Sequence, residues 1–390
     1  MAGLRSELEA SGLIFPEMEN SNMEAAKEIA KGSGKLIGKR NSKRMFLLVD
    51  GLGYDLMLKA ISNSPILRKA FSDARIKKIT TIVPSFTPTV ITSIDSGLTV
   101  AEHGIVGSPL YIKETGETGN VFGLSWAPSR DETIGKTDTY PLFPELNTLL
   151  SMSKRRGFVY MQHENIISKS SNSNFLHDIN YSKYISMDDL IIQSISLIKS
   201  RSKKLIYAYV DYIDHAEHTY TKDSELGLAI TIYALEHIAE RLVPVLREYG
   251  WELVITSDHG QISITQRNIT QINAKSSIME NLSAPPWGAN RIMFFGVSEN
   301  KKKKFEEQFA KLYGSRFLLY DSEEAIKSGI FGAKSAKSWI RYRFGTYVAI
   351  GKGNNLMYYR FPKRRERDTK LAGYHGGMSK EEMEIPLFIL

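Results

Sequence analysis

Seven side chains in this sequence are of the types that phosphoryl chemistry at a metal centre needs. Asp50 follows the apolar run RMFLLV, Asp258 and His259 follow WELVIT, and His375 lies in the glycine-rich GYHGGM near the C-terminus. The stretch DYIDHAEH supplies two Asp/His pairs four residues apart, Asp211 with His215 and Asp214 with His218. Residues at that spacing share a helix face, so either pair makes half of a metal site at low entropic cost. Three carboxylates and three imidazoles suit two borderline divalent cations, Zn2+ first and Mn2+ or Fe2+ next; Mg2+ or Ca2+ alone would not need so many histidines. Two such ions about 4 Å apart clamp the attacking and leaving oxygens of an in-line displacement at phosphorus. The seventh residue is Thr87 in PSFTPT. It is expected at a helix start, where the dipole and backbone N–H groups favour phosphate or a developing alkoxide. The chemistry permitted is phosphoryl transfer through a phosphothreonine at Thr87 that water then cleaves. Each piece also has a plain reading, Thr87 and Asp50 as helix caps and the histidines as surface residues. Three strand-like runs ending in acids, two of them with His nearby, are hard to assign to capping alone.

The elements that must position these groups can be read from hydrophobic patterning. Residues 44–49, 158–162, 205–210 and 251–256 read as strands, and the uninterrupted apolar run 44–49 suits a parallel strand buried on both faces. A strand over 79–83 is expected to lead to a short helix that Thr87 caps, with Pro88 at its first position and Gly97 ending it. Helices are expected over 186–200 and, as one long amphipathic element, over 224–249. From Asn273 the pattern changes to a small α+β unit, with strands 291–297 and 316–320 around a basic helix 301–313 and a short helix 323–328. Residues 346–350 and 356–360 are expected to pair and return the chain to the core, which 385–390 closes as a strand. A chain of 390 residues is long for one core, so one large α/β domain with a smaller one inserted or appended is expected.

Composition excludes several classes. There are 0 Cys, hence no thiolate nucleophile, disulfide or Cys-based zinc site. The net charge is +8, concentrated in 301–304, in PKRRER at 362–367 and in Lys199, Arg201, Lys203 and Lys204. These read as solvated loops and helix ends, with an electrostatic funnel for an anionic substrate as the sharper alternative. No specific nucleic-acid motif is present. The first residues carry acids and lack a long apolar core, and no run of about 18 apolar residues exists, so neither a secretory signal nor a membrane span is expected. A cytoplasmic protein is the expectation.

The ordered set VDGLG, PSFTPT, GLTVAEHGIVG, DYIDHAEHTYT, TSDHG and GYHGGM resembles the nucleotide pyrophosphatase/phosphodiesterase (type I phosphodiesterase) family of the alkaline phosphatase superfamily. The likeness runs from Arg44 to the C-terminus and is least distinct over 273–369. It implies an alkaline phosphatase-like three-layer α/β/α core with a mostly parallel central sheet and a small inserted α+β lid. In that arrangement 1–43 is an N-terminal leader, 44–272 and 370–390 the core, and 273–369 the lid. It also implies one cation on Asp50, Thr87, Asp258 and His259 and the other on Asp214, His218 and His375. Tyr209 before the pair and Thr219-Tyr220 after it match the family better for Asp214/His218 than for Asp211/His215. Where many relatives carry an Asn that holds a phosphate oxygen, this chain has Ser108, whose hydroxyl donates one bond over a shorter reach. Pro88 replaces the Phe that follows the nucleophile in many nucleotide-cleaving relatives. His103 is expected to be structural, and His163, His177 and His237 ordinary surface or core residues. The implied function is a two-metal phosphodiesterase or nucleotide pyrophosphatase acting on a phosphorylated small molecule or nucleotide. The alternatives are a phosphomonoesterase or phosphonate hydrolase with the same centre and, from another class, an idle metal-stabilised binding protein.

Overall fold

The structure, a computed structural model, describes residues 2–38, 43–113, 115–120, 125–126, 144–155, 157–164, 179–200, 202–361 and 371–390. The basic run 362–367, Arg201 and His177 lie outside the described residues.

Seven strands form the central sheet: β1 (Arg44–Val49), β2 (Arg75–Thr80), β3 (Phe158–His163), β4 (Tyr181–Tyr184), β5 (Leu205–Val210), β6 (Glu252–Thr256) and β7 (Glu384–Ile389). Their order is β2-β7-β6-β1-β5-β3-β4. All run parallel except β7, which is antiparallel to both β2 and β6. Every residue of β1 and β5 is buried, as continuous apolar runs require when helices cover both faces. Side chains alternate along β1. Phe46 and Leu48 join a core under helices Asn22–Lys31, Thr87–Ser96 and Asn147–Ser153. Met45, Leu47 and Val49 join another under Tyr54–Asn63, Met187–Lys199 and Glu225–His237. The result is the three-layer α/β/α architecture, each buried Leu or Ile contributing about 1.5–3 kcal/mol.

Register places the chemistry. Leu48 of β1 pairs with Tyr209 of β5 on one side and Thr256 of β6 on the other, so the residues that follow all three strands emerge side by side at one carboxyl edge. Gly51 then turns the chain at φ 79°, and a Cβ there would stand 2.9 Å from Asp214 Cα. Only glycine lets these two segments approach so closely.

Several expectations are corrected. β2 ends at Thr80 and does not run to residue 83; residues past it cross toward the site and include Pro84, which has no N–H to give a ladder. The stretch 1–43, expected as a polar leader with a helical patch near residues 22–30, does carry that helix, and it packs on the core. Helix Asn22–Lys31 buries Met23, Ala25, Ala26 and Ile29 against the Thr87–Ser96 helix, and Asn22 Nδ2 donates to the carbonyls of Ser257 and Asp258 at 3.0 and 3.2 Å. The helix expected over 224–249 contains a π-helical turn, Ile238–Leu242. Pro244 follows it; with no N–H to return to Glu240, the regular ladder is interrupted there.

In the inserted segment, Trp287–Gly288, Ile292–Phe295, Tyr347–Gly351 and Phe317–Asp321 form an antiparallel sheet covered by helix Lys302–Tyr313. Tyr347–Gly351 thus pairs inside this sheet and not with Leu356–Arg360, which lies parallel to Ile269–Asn273. Arg291, at the root of the insert, is fully buried with Glu382; its Nε and Nη2 meet the two carboxylate oxygens at 3.0 and 2.9 Å. The same carboxylate accepts the N–H of Gly377 at 2.8 Å and of Ser379 at 3.0 Å, so it also fixes the loop that carries His375. Among the described residues no helix is long and apolar enough to cross a membrane.

One buried acid lies away from the site. Asp95 is 2% exposed near the end of helix Thr87–Ser96, with Tyr207 OH donating to it at 3.2 Å. Burial raises its pKa from 3.8 to about 7, more than the tyrosine bond lowers it. The folded state therefore holds the proton more tightly. This group's stabilising contribution is full below pH 3.8 and is lost as pH rises through about 7. Asp95→Asn should accordingly raise unfolding free energy at pH 8 by roughly 2–4 kcal/mol, the gain fading toward pH 4. Urea unfolding at both pH values checks this; an equal gain at both would refute it.

Candidate active site

Thr87 is the first residue of its helix and not the cap. Phe86 holds the capping position in extended conformation, Pro88 is the second helical residue, and Gly97 closes the helix at φ 74° as expected. The Thr87 side chain makes no capping bond. Its Oγ1 points instead to His259 Nε2, 2.9 Å away.

The tautomer of His259 follows from its other nitrogen. Nδ1 lies 3.2 Å from the Gly260 carbonyl, which only accepts, so Nδ1 carries the hydrogen. Burial lowers the ring's pKa to about 4, leaving a neutral imidazole with an Nε2 lone pair facing the site. Asp50 Oδ1 and Asp258 Oδ2 lie 3.4 and 3.3 Å from that nitrogen. Neither oxygen has a hydrogen-bond partner among the described residues. The remaining oxygens are held: Tyr209 OH donates to Asp50 Oδ2, while the N–H groups of His259 and Gly51 donate to Asp258 Oδ1 at 2.9 and 3.3 Å. Burial, then the neighbouring carboxylates, raise the pKa of Asp50 well above its usual range. Burial above all raises Asp258 to about 6. Three lone pairs converging in a dry place repel one another unless a cation or proton sits among them.

The second group adjoins the first, His259 and His375 stacking with ring centroids 3.6 Å apart. Asp214 Oδ2 is 3.3 Å from His218 Nε2, and Oδ1 is 3.8 Å from His375 Nε2. Here too each Nδ1–H donates to a carbonyl, His218 to Gly373 at 2.9 Å and His375 to Ser85 at 3.2 Å. All three histidines therefore present Nε2 inward, oriented by a backbone partner as metal-bound imidazoles generally are. Burial opposes charge on both members of the Asp214–His218 pair, but mutual attraction prevails, lowering the Asp214 pKa and raising that of His218. In each of the triads Asp50/Asp258/His259 and Asp214/His218/His375, ligand atoms fall within 4.8 Å of one another. Donor types and fixed tautomers fit a divalent cation in each, and in the first the orphaned oxygens of Asp50 and Asp258 add to the fit.

The rival pair is set aside by exposure. His215 is 74% exposed and its contact with Asp211 is 3.6 Å, on the solvent side of the helix. His103 is structural as expected, its Nε2 at 2.8 Å from Ser93 Oγ and its Nδ1 accepting the N–H of Ile105. His237 lies beside Asp188 at 3.4 Å. Ser108 is half-buried in the turn before strand Leu110–Ile112; the adjoining Pro109 carbonyl accepts the N–H of Gly288 from the insert. Sequence reasoning missed Asn22, Tyr209 as the Asp50 partner, and Gln261, which is buried and donates to Asp214. Their contacts span many residues, and only the position of Tyr209 one before the end of β5 was a signal.

Compared with known proteins, the sequence matches the type I phosphodiesterase / nucleotide pyrophosphatase family over residues 45–377. No curated protein matches. Among solved structures, murine ectonucleotide pyrophosphatase/phosphodiesterase 5, an inactive threonine-to-alanine variant in complex with AMP, superimposes with a TM-score of 0.64 at 17% identity, over 89% of this chain and 88% of that one. Phosphonoacetate hydrolase from Sinorhizobium meliloti, in complex with phosphonoacetate, gives 0.62 at 15% identity over 92% of each chain.

Proposed function

Because the chain belongs to the type I phosphodiesterase / nucleotide pyrophosphatase family, we propose that it is a two-metal phosphodiesterase that uses Thr87 as nucleophile on a nucleotide or similar phosphorylated small molecule. The observation that carries this is the Thr87 hydroxyl standing at 2.9 Å from His259 Nε2, where the unpartnered oxygens of Asp50 and Asp258 also converge. Asp50, Thr87, Asp258 and His259 would hold one cation and Asp214, His218 and His375 the other, with Zn2+ the best match to the donor set. The chemistry such ions supply is neutralisation of charge on the phosphoryl oxygens and a lowered pKa for a nearby hydroxyl.

The protein's own groups do the rest. Thr87 sits on the positive end of its helix, which favours the anionic phosphoryl group and an alkoxide. Its Oγ1 bonds to phosphorus as the bond to the leaving oxygen breaks, and water then cleaves the Thr87 ester and restores the hydroxyl. Tyr209 and the backbone N–H groups at Asp258 hold the far carboxylate oxygens, so the near ones keep their direction. Ser108 is assigned a hydrogen bond to a phosphoryl oxygen on its place in the sequence pattern.

The test compares kcat/KM for the p-nitrophenyl ester of thymidine monophosphate, p-nitrophenyl phosphate and phosphonoacetate. The diester should be preferred by at least about tenfold. Preference for the monoester or the phosphonate would overturn the substrate class while keeping the centre.

A further inference from the structure

Gln261 lies two residues past His259 and is 1% exposed. Its amide reaches the other half of the site: Nε2 donates to Asp214 Oδ1 and, at 3.2 Å, to the Asp214 carbonyl. A carboxylate only accepts, so the nitrogen faces Asp214 and Oε1 turns the other way. Oε1 lies over Gly373, where a Cβ would stand 2.6 Å from it, and Gly373 is the residue whose carbonyl holds His218 Nδ1. The Gln261 side chain is thus seated between the anchors of Asp214 and His218. Its own backbone is pinned on both sides. Gly260 passes so close to Glu381 O that a Cβ would stand 2.2 Å from it, and Ile262 pairs with Tyr374.

We propose that Gln261 is a positioning residue that couples the two half-sites, so that the segment supplying Asp258 and His259 to one cation also sets the affinity for the other. This rests on the metal-centre reading above. A neutral amide satisfies Asp214 Oδ1 without bringing a positive charge to where a cation would bind, as Lys or Arg would. Holding Oδ1 fixes the plane of the carboxylate and leaves Oδ2, beside His218 Nε2 at 3.3 Å, directed at the ion. Partners of this kind typically change metal affinity 10–100-fold.

The experiment titrates the metal-free chain with Zn2+ against a chromophoric chelator, for wild type and Gln261→Met (similar length, no donor). Melting temperatures of the metal-free chains are measured in parallel. Wild type should bind two ions. Gln261→Met should weaken one of them by about 10–100-fold and the other by less than about threefold. The metal-free Gln261→Met chain should melt somewhat lower, because the buried Asp214 Oδ1 loses its donor, so the unequal effect on the two ions is the deciding readout; excess Zn2+ should restore its turnover. Two unchanged affinities in Gln261→Met would overturn the coupling alone. Equal weakening of both ions with a lower metal-free melting temperature would reduce Gln261 to a packing role, which also overturns it. A wild-type chain that binds no Zn2+ would remove the metal-centre reading and this inference with it.

Discussion

Thr87→Ala should lower kcat/KM for a nucleotide diester by on the order of 10^3-fold or more while melting near wild type and still taking up metal through Asp50, Asp258 and His259. The separation of the two effects comes from where the hydroxyl points. Were Thr87 the helix cap, losing Oγ1 would cost about 1 kcal/mol of stability. Phe86 is the cap, and the Thr87 hydroxyl serves no helix bond, contacting His259 Nε2 instead. Alanine is a good helix former, so the first turn should survive the change. Initial rates together with elemental metal analysis of the purified variant decide the matter. Unchanged rates in a variant whose melting temperature still rises with Zn2+ would make the centre an idle structural one.

Stripping the metal should abolish turnover and also destabilise the fold. Asp50 Oδ1 and Asp258 Oδ2 are buried and unpartnered among the described residues, and a buried polar atom left unpaired costs about 1–3 kcal/mol. Any ligand that binds only the folded chain adds stability by mass action, about 4 kcal/mol at a thousandfold excess over Kd. Calorimetry in chelator and in Zn2+ should show a melting temperature several degrees lower without metal. Equal melting temperatures, with well under two ions per chain and activity intact after dialysis, would defeat the two-metal mechanism.

The site was more legible in the sequence than the contacts that hold it. β1 and β5 have the bounds their apolar runs suggest, because a strand buried on both faces leaves no polar residue inside to blur its ends. An acid within two residues of the end of such a run falls at the sheet edge whatever the loops do, which is why Asp50 and Asp258 could be placed from sequence. Spacing alone could not choose between Asp214/His218 and Asp211/His215, since both pairs span one helical turn; what favours the first pair is burial, which is a matter of tertiary packing. The helix at Asn22–Lys31 was legible as a helical patch near residues 22–30, but its burial was not, because alanines bury well without looking hydrophobic in a polar stretch. The partner of Leu356–Arg360 was misjudged because strand pairing is decided by the tertiary surface each strand meets, not by sequence proximity. Gln261 gave no local sign, as its partner lies 47 residues away.

The buried Arg291–Glu382 pair carries a consequence for how proteins of this build acquire new preferences. Exchanging the segment that carries the antiparallel sheet for that of a cousin would have to respect this pair. A donor segment lacking the arginine would strand the glutamate's charge in a dry interior, a loss of about 3–5 kcal/mol. The damage would reach His375 through the backbone amides that the glutamate grips. A viable chimaera must therefore inherit its junction residue together with the matching C-terminal acid, or replace both by apolar partners at once.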